Sequence, residues 1–98
     1  MLDLEWSPDA LDDLDFIWDI IAQDDIDAAD VFIDRIRDEA RDICRIPKKG
    51  HDIPEFENEN FRETYFKGYT LVYEIRKDCI LIHEVYNQKR IFIRTYNR

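Results

Sequence analysis

The sequence has 98 residues, of which 23 are acidic and 14 are Lys or Arg, giving a net charge of −9. This length predicts one domain, residues 1–98, whose single core is large enough to be stable without disulfides or a bound metal. The acidic charge argues against an autonomous nucleic-acid binder, because clustered Lys and Arg provide nonspecific affinity for phosphate.

A short strand and a long helix are predicted at the amino end. Residues 2–6 alternate apolar with charged side chains, the period of a half-buried strand. Ser7 can cap a helix and Pro8 suits its first turn, so a helix is expected from Pro8 to Gln23. Phe16 and Ile20 fall on its polar side among aspartates, where an exposed apolar pair often marks an interface. Its core-facing arc contains Leu11, Leu14, Ile17, Trp18, Ile21 and Ala22.

A second amphipathic helix follows the aspartates of residues 24–27, which are candidate caps. The two helices are expected to form an antiparallel hairpin, and Pro47-Lys48-Lys49-Gly50 ends the second one. An i, i+4 column of aspartates on its outer face is usually solvated surface, and a partner site is the alternative. The apolar stripe contains Ala29, Phe32, Ile33, Ile36, Ala40 and Ile43, and the aspartate column contains Asp30, Asp34, Asp38 and Asp42.

Three strands joined by tight turns are predicted after a polar loop. They span 61–66, 69–76 and 79–86, with Lys67-Gly68 and Lys77-Asp78 at the turns. The expected fold is therefore α+β, in the order β-α-α-β-β-β. The antiparallel helical hairpin packs on one face of an antiparallel sheet, because both apolar surfaces would otherwise remain in water.

Charge is distributed unevenly along the chain. Residues 1–44 carry 15 acidic and 3 basic side chains, a net charge of −12, whereas residues 45–98 carry 8 acidic and 11 basic, a net charge of +3. No acid follows Glu84, and apolar and aromatic residues alternate with bases at the carboxy end, a composition that suits a macromolecular interface. We therefore expect target contacts from Lys89, Arg90, Arg94 and Tyr96. The alternative is an added strand with solvated bases.

Several residue types that often carry chemistry are interpreted here as structural. Cys44 and Cys79 have no paired spacing, so we expect neither a disulfide framework nor a metal site, and no cofactor. His51 and His83 are expected to be surface or sheet histidines. Arg62 is either a cross-strand ion pair or a target contact. No basic and apolar leader opens the chain and no apolar run approaches the roughly 20 residues that span a bilayer, so a cytoplasmic protein without a membrane partner is expected.

The order and spacing of several short motifs resemble the ParE-like plasmid-stabilisation toxins of the RelE/ParE superfamily, across residues 4–90. The matching pieces are Trp6-Ser7-Pro8-Asp9-Ala10, Asp13-Leu14, Ile17-Trp18, Ala28-Ala29, Phe32, Arg35-Ile36, Pro47-Lys48-Lys49-Gly50, Ile53-Pro54-Glu55, Arg62-Glu63 and Gly68-Tyr69-Thr70-Leu71-Val72-Tyr73. The resemblance implies the toxin of a type II toxin–antitoxin system that causes growth arrest by inhibiting DNA gyrase. It also implies neutralisation by a cognate antitoxin, ParD-like or similar. The toxin would contact operator DNA only indirectly, through that antitoxin.

An mRNA endoribonuclease of the RelE-like branch is the first alternative. In those enzymes an arginine commonly follows the aromatic residue that opens the middle strand, and lysines line the preceding strand. Thr70, Phe61 and Glu63 stand here instead, and a carboxylate repels the phosphate that such a site must hold. This alternative would use Arg62, Arg90 and Tyr96 as catalytic residues.

The resemblance favours a protein-binding inhibitor over an enzyme. Val85–Arg90 resembles a Val-x-His-x-Arg-Arg-like segment of ParE-like members with Asn87 in place of the histidine, and an asparagine cannot shuttle a proton. We expect the antitoxin to bind the helical hairpin at Phe16, Ile20, Asp34 and Asp38. A degenerate toxin fold that only binds an antitoxin is the remaining alternative.

Overall fold

The computed structural model describes residues 1–88, which form two helices, a single 3-10 turn and five strands. The helices are α1, Pro8–Ala22, and α2, Ile26–Arg45, and the 3-10 turn spans Pro47–Lys49. The strands are β1, Asp3–Trp6; β2, His51–Asp52; β3, Phe61–Phe66; β4, Tyr69–Ile75; and β5, Cys79–Asn87.

Side-chain caps start both helices where the sequence predicts them. The Ser7 hydroxyl accepts a hydrogen bond from the Ala10 amide at 3.0 Å, and the Asp25 carboxylate accepts one from the Ala28 amide at 3.1 Å. Each cap satisfies an amide that has no partner within its helix. Across the hairpin, the indole nitrogen of Trp18 donates to Asp30 at 2.8 Å, so the Trp18 side of α1 faces α2.

The sheet has the strand order β1-β5-β4-β3-β2. The antiparallel meander of β3, β4 and β5 is confirmed, but β1 pairs parallel to β5, with Leu4 opposite Ile80. The sheet is therefore mixed, and the expectation of an antiparallel sheet is corrected for this strand. The alternation in residues 2–6 determines which side of β1 is buried but contains no information on the direction of its neighbour.

The helical hairpin covers one face of the sheet, which confirms the predicted α+β fold class. Both predicted apolar stripes face this core, except that Leu11 is 43% exposed. The largest side chains buried there are Tyr73, Ile36, Ile43, Leu71, Ile80, Ile82 and Val85. No helix within residues 1–88 has the length and apolar character needed to cross a membrane.

The opposite face of the sheet, here called the helix-free face, carries a second and smaller apolar cluster. Ile53, from the segment after β2, packs there on Val72 and Tyr86, with Phe61 at the side. A register shift between Val72 and Tyr73 interrupts the β4–β5 ladder. A shift of this kind redirects side chains along a strand.

Candidate functional site

Arg62 is held in place by the protein itself. Its Nη1 lies 2.6 Å from Asp52 Oδ1, and its Nε and Nη2 donate to the Gly50 carbonyl at 3.0 and 2.7 Å. Asp52 is the residue opposite Arg62 in the β2–β3 ladder. Arg62 therefore forms a cross-strand ion pair, and its side chain is only 14% exposed.

The helix-free face is lined by carboxylates. Phe61 lies opposite Glu74, Glu63 opposite Val72, and Val72 opposite Glu84. Directly paired residues project to the same side of a sheet, so these three glutamates share the face. Tyr65 donates its hydroxyl to Glu63 at 2.8 Å, and this hydrogen bond raises the pKa of the phenol.

Glu74 is the centre of a polar cluster on this face. Its Oε1 lies 2.9 Å from His83 Nε2 and accepts a hydrogen bond from Arg76 Nε at 3.1 Å. Burial acts to raise the pKa of Glu74, but the hydrogen bonds from His83 and Arg76 outweigh it and lower that pKa below its usual value. The His83 ring stacks on Phe61 with centroids 5.2 Å apart. In this cluster the Arg76 guanidinium neutralises the Glu74 carboxylate, so Arg76 is already paired within the protein.

Sequence reasoning missed the carboxylate partner of His83. The ladder pairs Glu74 with Leu81, so His83 is two residues beyond the directly opposite position. A diagonal contact of this length is within reach of a long side chain. Counting back from the Lys77-Asp78 turn could have suggested the pair, but the register shift nearby is not visible in the sequence.

Thr70 stands on the helix-free face, where the RelE-like ribonucleases commonly have an arginine. Its side chain is fully buried, and its hydroxyl oxygen has no hydrogen-bond partner among the described residues. It supplies no charge for a phosphate. Nor do residues 1–88 contain a group of three or more His, Cys, Asp or Glu side chains that could hold a metal ion.

The residues expected to bind an antitoxin lie on the hairpin surface but do not form one patch. Phe16 and Ile20 are 48% and 42% exposed. At about 100° per residue, each lies roughly 160° around the axis from Trp18, on the flank of α1 away from α2. Asp34 and Asp38 are exposed on α2, and Asp38 pairs with Arg41 at 2.6 Å. A segment that contacts both pairs must therefore wrap around the hairpin.

The residues expected to contact the target, Lys89, Arg90, Arg94 and Tyr96, lie outside the described residues. The described part ends where the Gln88 amide donates to the Gly68 carbonyl at 2.8 Å, beside the β3–β4 turn. Residues 1–88 contain 10 of the 14 basic side chains and all 23 acidic ones, so their net charge is −13. The four remaining bases lie within residues 89–98 of the sequence.

Comparison with known proteins gives a matching family and several similar solved structures. The family described as the ParE toxin of the type II toxin–antitoxin system, parDE, matches residues 4–92. The structure of a chromosomal ParDE TA system from P. aeruginosa matches with a TM-score of 0.73 and 19% identity, over 89% of this chain and 96% of that one. The solution structure of a conserved hypothetical protein from Helicobacter pylori matches with a TM-score of 0.50 and 20% identity, over 91% and 97%. No curated protein matches. At these identities, the structural likenesses show the shared fold.

Proposed function

Because this chain belongs to the ParE toxin family of type II toxin–antitoxin systems, we propose that it arrests growth by binding DNA gyrase in the cytoplasm. A cognate antitoxin neutralises it, and it reaches operator DNA only through that antitoxin. The toxin acts as a binding inhibitor and cleaves no nucleic acid.

The acidic helix-free face is the observation that carries this proposal over the ribonuclease alternative. Cleavage of a phosphodiester needs preorganised positive charge where the transition state becomes more negative. On this face Arg76 pairs with Glu74. Arg62 lies opposite the core residue Tyr73, so it projects to the other side of the sheet, where it is bound to Asp52 and to the Gly50 carbonyl. The Glu63 carboxylate, which has no cationic partner among residues 1–88, would repel a bound phosphate at short range. The described part of the sheet thus supports a protein inhibitor better than a ribonuclease.

In this proposal the target contact belongs to the basic carboxy-terminal segment, residues 89–98, and neutralisation belongs to the helical hairpin. Lys89, Arg90, Arg94 and Tyr96 bind gyrase. The antitoxin binds Phe16, Ile20, Asp34 and Asp38 and lays Lys or Arg side chains along the acidic hairpin, since complementary potential speeds association and excludes wrong partners.

The test is induction of the protein in bacteria without its antitoxin, together with a supercoiling assay on purified gyrase. The DNA damage response and mRNA cleavage, mapped by primer extension, are scored side by side. We expect growth arrest, the damage response and inhibited supercoiling, with no cuts in mRNA. Cuts that disappear on Arg90→Ala or Tyr96→Phe would establish the ribonuclease instead. Antitoxin binding without any growth arrest would establish a degenerate toxin.

The residues involved are tested with the double variant Arg90→Glu/Arg94→Glu. We expect it to lose gyrase inhibition and toxicity while its fold and antitoxin binding remain nearly intact, because surface substitutions usually change stability by only about 0.5 kcal/mol. The matched control is Lys48→Glu/Lys77→Glu, which makes the same change in charge at two exposed positions of residues 1–88. If the first variant remains toxic, or if it also loses the antitoxin, the assignment to this segment is wrong.

A further inference from the structure

A shallow, solvent-open cavity with both apolar and charged lining residues lies between α2 and the β3–β4 turn. The cavity has a volume of about 360 Å³, and Ala28, Val31 and Phe32 form its apolar lining. Arg35 and Lys67 stand at its edge. On the α2 wheel these helical positions face away from the side of Asp30, which contacts α1, so the site lies on the outer flank of the hairpin.

Tertiary packing holds the aromatic floor of this cavity against the β3–β4 hairpin. The Phe32 ring contacts Phe66 with centroids 5.8 Å apart and Tyr69 with centroids 5.6 Å apart, the latter edge to face. Val31, one residue earlier, is 50% exposed at the rim. An aromatic floor fixed by two neighbours needs little ordering on binding, so an apolar side chain placed on it loses little of its binding free energy to reorganisation.

Two acidic and two basic side chains line the cavity together with its apolar residues. Asp25 and Asp27 stand at the start of α2, where Asp25 already caps the helix. Arg35 and Lys67 are the basic pair, and neither forms an ion pair or hydrogen bond with another part of residues 1–88. Within the described residues they are therefore two cations without an ionic partner, one on the acidic helix α2 and one in the β3–β4 turn. This arrangement suits a ligand with a large apolar group and an adjacent carboxylate.

Lys67 is also held in a strained backbone conformation. Its φ is +46° and that of Gly68 is +86°, the pattern of a two-residue type I′ hairpin turn. Asn or Gly is favoured at the first of these positions, because other residues rarely adopt positive φ. Strain of this kind often occurs at binding sites, where the side chain matters more than the backbone conformation. The positive φ of Lys67 is thus a second feature of the cavity, beside the charge of its side chain.

We infer that this cavity receives a large apolar side chain of the antitoxin and that an adjacent carboxylate of the same segment pairs with Arg35 and Lys67. The inference rests on the proposed neutralisation by an antitoxin and adds to it a second contact of opposite polarity. Asp34 and Asp38 lie on the neighbouring stripe of α2 and take Lys or Arg side chains, whereas the cavity edge takes acidic ones. A single antitoxin segment that runs along α2 can make both contacts, and the two contacts together fix the register of that segment on the helix.

Two toxin variants test the two parts of the contact. Ala28→Trp fills the cavity, and Arg35→Glu/Lys67→Glu reverses its charges. The probe is the purified product of the small reading frame adjacent to the toxin gene, titrated by calorimetry at two salt concentrations. We expect Kd to rise about 10-fold for Ala28→Trp and about 100-fold for the charge reversal, the range that truncation of central interface contacts produces. Lys48→Glu/Lys77→Glu is the control with the same change in charge and should bind within about threefold of the parent.

Charge exchange identifies the carboxylate. Each Asp and Glu in the carboxy-terminal half of the antitoxin is replaced singly by Lys, and one replacement should restore at least a tenth of the affinity for Arg35→Glu/Lys67→Glu. The same antitoxin variant should bind the unmodified toxin more weakly. Lys67→Gly is a second toxin variant that removes the cation while remaining compatible with the turn, so a folding defect in the double variant does not leave the question open.

The outcomes separate this inference from the proposed function. If the unmodified toxin binds the antitoxin and both site variants bind equally well, the cavity assignment is wrong and the proposed neutralisation stands. If the unmodified toxin does not bind, both are wrong. If the site variants lose gyrase inhibition but retain the antitoxin, the cavity binds the target and the inference is overturned. Loss of antitoxin binding with retained inhibition of supercoiling, rescued by charge exchange, supports it.

Discussion

Substitution of Tyr73 by Phe removes one hydroxyl group that ties the end of α2 to the sheet. The side chain is fully buried. Its hydroxyl donates to the Pro47 carbonyl at 2.6 Å and accepts from the Gly50 amide at 2.9 Å. Burial raises the pKa of this phenol, although the Gly50 amide and Arg62 oppose the change, so the hydroxyl keeps its proton at neutral pH. Gly50 in turn accepts two hydrogen bonds from Arg62 through its carbonyl.

The expected loss of stability depends on whether the two hydrogen-bond partners of the Tyr73 hydroxyl can find a new partner in Tyr73→Phe. Gly50 is buried, and its amide would remain without a partner, which costs about 1–3 kcal/mol. The Pro47 carbonyl is half-buried and can turn to water, so it adds less than about 1 kcal/mol. We therefore expect Tyr73→Phe to lower the free energy of unfolding by about 1–4 kcal/mol. In a domain of this size, that corresponds to a fall in Tm of about 5 °C or more.

Urea unfolding at pH 7 measures this loss, and Tyr65→Phe is the matched control. The Tyr65 hydroxyl also makes one hydrogen bond, to Glu63 at 2.8 Å, but the residue is 47% exposed and water can replace it. Its loss should lie within about 0.5 kcal/mol. Amide exchange at Gly50 should become faster in Tyr73→Phe alone. Equal stability of the two variants would refute the argument that the buried hydroxyl holds the segment after α2.

Three further predictions concern charge and the hairpin turn. Lys67→Asn should raise the free energy of unfolding by about 0.5–1 kcal/mol, because asparagine tolerates positive φ better; a lower urea midpoint would contradict this. The parent should be more stable than Glu74→Gln at neutral pH, and this difference in stability should vanish as pH falls through the lowered pKa of Glu74. Urea titrations from about pH 7 to about pH 3 measure the difference, and a difference that grows in acid would contradict the prediction. Asp34→Asn/Asp38→Asn should slow association with the antitoxin at low salt and weaken the salt dependence of the association rate. Stopped-flow measurements test this, and an unchanged association rate would contradict the electrostatic argument.

The helices and the meander could be predicted because their signals are local. Ser7-Pro8 marks the start of α1, the periodic apolar residues of α2 mark its buried side, and Lys67-Gly68 marks a two-residue turn. Each signal lies within a few residues of the structure that it specifies. The predicted boundary of α1 at Gln23 differs by one residue from the observed end at Ala22.

The remaining features depend on contacts between distant parts of the chain. The parallel pairing of β1 joins residues about 76 apart, for example Leu4 with Ile80, and alternation cannot specify its direction. The strand β2 has only two residues, too few to show a period. The cavity between α2 and the β3–β4 turn exists because Phe32 packs on Phe66 and Tyr69, and no local pattern encodes that contact.

The distribution of unpaired cations supports two separate binding surfaces. Among residues 1–88, five basic side chains form ion pairs with the chain's own carboxylates, and Arg37 lies over the Trp6 ring at 5.6 Å. Four are left without such a partner: Lys48 and Lys77 at chain turns, and Arg35 and Lys67 together at the cavity. A partner that brings carboxylates to residues 1–88 therefore finds two adjacent unpaired cations only at the cavity. The other group of bases in the sequence lies at the carboxy end and includes Arg90 and Arg94. If the target binds these two arginines, as proposed, it does not compete for the cations that a partner in the cavity would bind. The proposed neutralisation therefore requires steric exclusion of the target or a change in the proposed target-binding segment. We expect the antitoxin to bind Arg90→Glu/Arg94→Glu with unchanged affinity, and a loss of affinity would contradict the proposed separation.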